Sequence, residues 1–227
     1  MGVDYDARHM DPTRVLCIKQ EDFASQEGWN RVRSGQTSAI YQYVRQNGVF
    51  LPRDDVEDDD DYLQIVPWIV VQRYDRLWVM ERLATAEDPR LDSPWTLGIS
   101  GHVEEPPTSV VDPIAWNTRK LWHDTVILDR SCRAHLVGAI KDNENQVGKH
   151  HLGLLFFIGL QTGVPAMAEG LNLIGSFRRI NLLTNHTREL DDWSNWIVAS
   201  LLDNTLLANL PQDVLHLPGN QPIGDDF

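Results

Sequence analysis

The sequence predicts an α/β (α+β) fold, a mixed central β-sheet sandwiched between helices. Three observations carry that expectation. Residues 63–73 and 77–82 are β-rich runs around the polar turn Tyr74-Asp75-Arg76, the pattern of a hairpin. Asp112-Pro113 pairs an N-cap residue with proline at the first helical position, and Ala115, Thr118, Leu121 and Trp122 then recur on one face. Two more β-like runs, 134–140 and 150–160, precede an amphipathic helix over 188–208, in which Leu190, Trp193, Ile197, Leu201 and Leu202 repeat at helical spacing. Such an order buries its apolar faces by layering helices on both sides of a sheet.

In chain order, residues 1–13 read as a polar tail and 14–19, RVLCIK, as a short strand. Ile40, Tyr41, Tyr43 and Val44 mark a short helix that ends at Gly48, a C-cap glycine. The acidic run 54–61, DDVEDDDD, reads as a solvated linker, because consecutive carboxylates on a flexible loop lack the fixed geometry a metal needs. Pro67 predicts an edge or a bulge in the first hairpin strand. Residues 83–94 read as a polar loop, 141–149 as a turn-rich loop and 177–181 as a short connection. Residues 209–227, with Pro211, Pro218 and Pro222, read as an irregular tail. The organisation is one domain over 14–208, with 14–62 as an N-terminal extension, between two tails.

Composition narrows the function classes. A chain of 227 residues, 42% hydrophobic, can fill one sizeable core. A net charge of −13 repels nucleic-acid backbones and anionic membranes. No helix-turn-helix, zinc-finger or RNA-binding motif is present, and no apolar run approaches the ~18 residues of a membrane span. Neither nucleic acid nor membrane is therefore expected as a partner. The first residues lack the apolar segment of a secretory signal. Cys17 and Cys132 show no metal spacing and read as reduced thiols of a cytoplasmic protein. Eight tryptophans indicate a heavily packed interior or an aromatic-lined pocket.

The stretch 95–128, WTLGISGHVEEPPTSVVDPIAWNTRKLWHDTVIL, joins a strand, a Gly-centred turn, a Pro-rich loop and a helix. It resembles the Nudix box. Gly101 opens the turn, Arg119 stands at the box arginine, and Leu121 and Ile127 take aliphatic positions. Around it, Pro52-Arg53-Asp54, Ile65-Val66-Pro67-Trp68-Ile69-Val70-Val71 and Leu97-Gly98-Ile99-Ser100-Gly101-His102-Val103 are similar to one Nudix branch, usually described as predicted phosphoesterases. So are the block from Gly138 through Asp142, Gly148 and His151 to Phe156, and the pair Trp193-Ser194. The likeness covers roughly residues 14–205. The box itself departs from the family: Lys120, His123 and Asp124 replace its three glutamates, and Val126 replaces its glycine. The gap from Gly101 to Arg119 is four residues longer than the pattern.

The resemblance implies the Nudix fold. In that family Mg2+ or Mn2+ ions neutralise a nucleoside-linked diphosphate and generate the attacking hydroxide. Hard cations want converging carboxylates, and the helix offers one, Asp124, with Lys120 four residues earlier on the same face. At an effective dielectric of ~20 and ~4 Å, a like charge beside a cation costs about 4 kcal/mol. That is roughly three decades of affinity. The expectation is a catalytically degenerate protein, without a cofactor, that binds a nucleotide-like small molecule or a protein partner. Gly101, His102, Arg119, Lys120, His123, His151 and Arg82 are its candidate ligand-binding residues. The alternative is an active hydrolase whose catalytic and metal-binding carboxylates are Glu104, Glu105 and Asp124, holding Mg2+ or Mn2+, with Glu169 in support. A third reading is an acidic protein-interaction module, and a homodimer is compatible with any of them.

Each candidate also has a plain structural reading. His102, His123, His150 and His151 are donors for a softer N/O site suited to Zn2+ or Mn2+, or ordinary packed and surface histidines. Strand alternation lets at most one of His150 and His151 face such a site. Glu104 and Glu105 fit a solvated loop equally well. Trp95 and Trp116 are candidates for a base-binding pocket, while Trp68, Trp78, Trp193 and Trp196 read as packing residues. Arg53, Arg73 and Arg82 read as ordinary cations unless they grip phosphate.

Overall fold

The computed structural model describes residues 13–24, 31–34, 37–83, 94–145, 148–206, 214–217 and 219. The N-terminal part holds β1 (Arg14–Lys19), α1 (Glu21–Ala24), β2 (Arg31–Ser34), α2 (Thr37–Asn47), β3 (Val49–Pro52) and α3 (Arg53–Val56). The middle holds β4 (Tyr62–Arg73), β5 (Arg76–Arg82), β6 (Trp95–Thr96), β7 (Gly98–Ser100), α4 (Pro113–Thr125) and β8 (Val126–Ile127). The remainder is β9 (Cys132–Lys141), β10 (His151–Gly159), β11 (Ala166–Met167), β12 (Leu173–Arg179), α5 (Ile180–Leu183), α6 (Asp192–Leu202) and β13 (Val214–Leu217).

The layered α+β arrangement expected from the sequence is what forms. A mixed sheet runs β12-β5-β4-β10-β9-β13, with shorter strands added along it. β4 is its hub. It pairs in parallel with β10 from His151↔Gln64 to Gly159↔Gln72, and antiparallel in turn with β1, β7 and β5. This position explains its almost unbroken apolar run, since both faces are covered. Pro67 does not mark an edge strand. It sits inside β4, between the last residue paired with β1, Gln64, and the first paired with β7, Trp68, where no antiparallel neighbour is in register.

Alternation along β10 divides the core. Leu152, Leu154, Phe156 and Ile158 face one side with Ile40 and Val44 of α2 and Ile114 and Trp122 of α4. Leu155 and Phe157 face the other side with Trp193, Ile197 and Val198 of α6. Both helices begin at aspartate caps: Asp112 accepts from Ala115 N at 3.0 Å, and Asp191 accepts from Ser194 N at 2.7 Å. Tyr41 and Arg45 of α2 also reach Asp112, at 3.1 and 3.3 Å, so one carboxylate joins two helices.

Several expectations need correction. The closing helix is shorter than 188–208, because the Asp191 cap fixes its start, and Leu202 is 44% exposed. Residues 177–181 are no simple connection: 173–179 pair with β5 along their length, with Phe177 packed on the core. Part of the expected C-terminal tail, 214–217, is a strand on β9. The acidic run is not a free linker: its first residues lie in α3, His150 Nδ1 meets the Asp59 carbonyl at 3.2 Å, Lys149 pairs with Asp60 at 3.0 Å, and Gln20 N donates to the Asp61 carbonyl at 2.8 Å. The tail 1–12, the loop residues 84–93 and most of 207–227 lie outside the described residues. Cys17 and Cys132 are free, and burial pushes each thiol up to about 12. Among the described residues no helix is long and apolar enough to cross a membrane.

Candidate functional site

The turn after β7 is fixed from both sides. Val103 N donates to Ile65 O at 3.1 Å, and Leu16 N donates to Val103 O at 2.8 Å. The buried Asn117 of α4 then clamps the next residue. Its Oδ1 accepts from Glu104 N at 3.1 Å, and its Nδ2 donates to Glu104 O at 2.8 Å and Pro113 O at 2.9 Å. A side chain at Gly101 would meet Leu121 of α4 at 3.3 Å. Turn and helix are thus one rigid unit, and a preformed surface needs such a unit.

The exposed face of α4 carries a small ion cluster. Lys120 Nζ donates to Asp124 Oδ2 at 2.8 Å, and His123 Nδ1 lies 3.1 Å from Asp124 Oδ1. Partial burial works to raise the Asp124 pKa, but the Lys120 and His123 contacts outweigh it and hold the carboxyl below the usual range. Both oxygens of this carboxylate are therefore engaged.

A second cluster lies across the sheet. His151 shares the β10 face of Gly153, Leu155 and Phe157, the side that α6 covers. Its Nε2 is 3.2 Å from His102 Nε2, with ring centroids 5.3 Å apart. Glu57, at the end of α3, lies 3.4 Å from Arg53. Burial opposes the charge on Glu57, but Arg53, helped by His151 and His102, holds its carboxyl below the usual range. Beside them, fully buried Gln64 donates to Val56 O at 3.1 Å, while its Oε1 has no partner.

His102 has a pKa of about 4, lowered first by burial and then by the neighbouring His151 and Arg53, with Glu57 acting the other way. The sign follows from proton counting. Between pH ~6.5 and ~4 the unfolded chain binds a proton at this residue that the folded chain refuses, so stability is full above that window and falls through it on acidification. The loss is about 2–3 kcal/mol by the bottom of the window. Urea denaturation at stepped pH checks this, and His102→Asn is expected to flatten the slope.

The sequence-derived candidates therefore separate. His102 meets His151, and Lys120 meets Asp124 and His123. Arg119 instead donates to the His216 carbonyl at 3.2 Å, tying α4 to β13. Arg82 acts on Asp191, whose carboxyl burial pushes upward, at the start of α6. Glu105 pairs with Arg14 at 2.7 Å, Glu104 forms an exposed bridge with Val15, and Glu169 is exposed in a turn. Buried His150 anchors the acidic run. Trp95 does not offer an open ring: the Arg178 guanidinium lies 4.0 Å from its centroid and His186 4.8 Å. Arg73 lies over Phe177, and Trp116 is half-buried on α4. Glu57, Gln64 and Asn117 were not anticipated. The spacing of Arg53 and Glu57 at i,i+4 was a visible signal, whereas Gln64 and Asn117 gave none.

Mg2+ or Mn2+, the ions that the Nudix resemblance implies, would need converging carboxylates. Glu104, Glu105 and Asp124 do not converge. Among the described residues no three His, Cys, Asp or Glu side chains are assembled to hold a metal. This donor set does not fit a multi-cation site.

No family model matches the chain. It is 28% identical over 170 residues to Protein YmaB of Bacillus subtilis (strain 168), a match that spans 72% of this chain and 79% of YmaB. Its structure is similar to that of Tm1382, a candidate Nudix hydrolase, with a TM-score of 0.69 and 23% identity over 84% of this chain and 99% of that one. A fainter likeness, TM-score 0.41 and 12% identity over 63% of this chain and 42% of the other, is to a bifunctional NMN adenylyltransferase/ADP ribose pyrophosphatase from Francisella tularensis. The likeness to Tm1382 shows the fold: this chain has a Nudix fold, with its mixed sheet between helices.

Proposed function

We propose that this Nudix-fold chain binds a nucleotide-like ligand through its diphosphate and does not hydrolyse it, as a catalytically degenerate relative of the phosphoesterase branch. One observation carries the reading: Lys120 and His123 occupy both oxygens of Asp124, the sole carboxylate at the three box positions. A hard cation would have to displace an ammonium to reach it. The same ammonium supplies a positive charge on the helix that Asn117 ties to the turn, at a box position where the resemblance places a metal ligand. A phosphate oxygen can take the hydrogen bond that Asp124 now accepts.

Thermal unfolding tests this with ADP-ribose, nucleoside di- and triphosphates and dinucleoside polyphosphates, each in Mg2+ and in chelator. A ligand at a hundred times its Kd stabilises by about 2.7 kcal/mol, which is roughly 5–10 °C for a chain of this size. The expected outcome is stabilisation by one of these nucleotides, equal with and without Mg2+, with no product formed. Metal-dependent release of phosphate or a nucleoside monophosphate, abolished by Glu104→Gln/Glu105→Gln, would establish the active hydrolase instead. Silence towards every nucleotide would remove the ligand.

A further inference from the structure

The two-histidine cluster on the α6 side of the sheet has no part in the reading above, yet its donors already meet. His102 Nε2 and His151 Nε2 stand 3.2 Å apart. Two imidazole nitrogens sharing one tetrahedral cation, each at about 2.0–2.1 Å from it, are separated by about 3.3 Å. The backbone sets this spacing. His151 is the first residue of β10, in register with Gln64, and His102 precedes Val103, which is bonded to both β1 and β4. Glu57 is the carboxylate that acts on both rings, against the opposing charge of Arg53, and Glu57 and Asp54 line a cleft of about 420 Å³ with Thr13 and Arg53.

We propose that His102 and His151 are the protein ligands of one borderline divalent cation of the Zn2+ class. Imidazole nitrogen selects Zn2+, Ni2+ or Cu2+ over Mg2+, so this preference differs from that of an all-carboxylate site. The two rings make a two-point chelate. Glu57 becomes the third ligand by rotating away from Arg53, now 3.4 Å distant, and water completes the tetrahedron. On binding, the proton between the two Nε2 atoms passes to Nδ1 of its own ring, so the cation takes two lone pairs and no net proton is lost. The site lies on the opposite face of the sheet from Trp122 and Ile114 of α4, and it stands or falls independently of nucleotide binding.

The test uses the metal alone with the untagged full chain, stripped by chelator: calorimetric titration with Zn2+ and Mg2+, and visible absorption with Co2+. The expected result is one Zn2+ per chain, bound at least a hundredfold tighter than Mg2+, and an intense tetrahedral Co2+ spectrum. His102→Asn and His151→Asn should each weaken Zn2+ at least tenfold and abolish that spectrum. Glu57→Gln should weaken it less, and His186→Ala should leave it unchanged. Circular dichroism verifies that each variant is folded. If one is not, Zn2+-induced shifts of the His102 and His151 ring signals in the NMR spectrum of the unaltered chain read the same contact. Zn2+ binding that survives His102→Asn/His151→Asn, an octahedral Co2+ spectrum, or unmoved ring signals would overturn the proposal.

Discussion

Trp122→Ala is expected to cost about 3–5 kcal/mol of folding stability, the range for deleting a large buried aromatic. The side chain is fully buried and belongs to the cluster that joins α2, α4 and the inner strands. It carries α4 onto the sheet, and the other buried side chains of the helix, Ile114, Ala115, Asn117 and Thr118, lie towards its start. Truncation leaves a cavity that a helix clamped at its N-terminal end by Asn117 cannot collapse to fill. Thermal or urea denaturation reads the loss, which corresponds to a fall in Tm of roughly 10 °C. The control is two positions away on the same helix. Lys120 is about half-exposed, and its pair with Asp124 is worth at most about 1 kcal/mol, so Lys120→Ala should hardly move the midpoint. A small effect at Trp122, or a large one at Lys120, would contradict the division of α4 into a buried scaffold face and an exposed chemical face.

Lys120→Glu/His123→Glu is expected to raise Mg2+ affinity by about a hundredfold, or ~2.7 kcal/mol. Residues 120, 123 and 124 already converge: the side chains at 120 and 123 both reach Asp124. Replacing the ammonium and the imidazole with carboxylates removes a repelling charge and places three oxygen donors at i, i+3 and i+4. Solvent screening at these half-exposed positions makes the gain smaller than the three decades a dielectric of ~20 suggests. Calorimetric titration with Mg2+ measures it directly. An unchanged affinity in a folded variant would mean that α4 has lost the geometry of a metal site as well as its ligands.

Part of the fold was legible in the sequence and part was not. α4 was, because Asp112-Pro113 is a local start signal and its apolar spacing is that of a helix. The hairpin and the β9–β10 pair were, because their β-rich runs are bounded by turn residues. β2, β12 and β13 were not. RVRS in β2 has one apolar side chain and becomes a strand because β9 offers it an edge, and β12 alternates weakly around the exposed Ile174. β13 lies in a proline-rich stretch whose local signals favour irregular chain, and pairing with β9 overrides them. The site divides in the same way. The contact of Lys120 with Asp124 follows from helical spacing alone. The meeting of His102 with His151 depends on the register of β4 against β10 and on a turn bonded to two strands, which no local pattern encodes.

The β4–β10 pairing also governs how this chain must be made. Its partners, from Gln64 with His151 to Gln72 with Gly159, are separated by roughly 87 residues, and the ladder is parallel, so no short turn can nucleate it. The entropy of closing that loop is spent before any contact across it forms, the condition that makes nonlocal sheets fold slowly. During synthesis the β4–β5 hairpin and α4 emerge early, while the sheet lacks its central partner until the last third of the chain appears. Through that interval β4, among the most apolar strands in the molecule, presents an unpaired edge. The strand that organises the finished protein is thus also the segment most in need of protection while it is being translated.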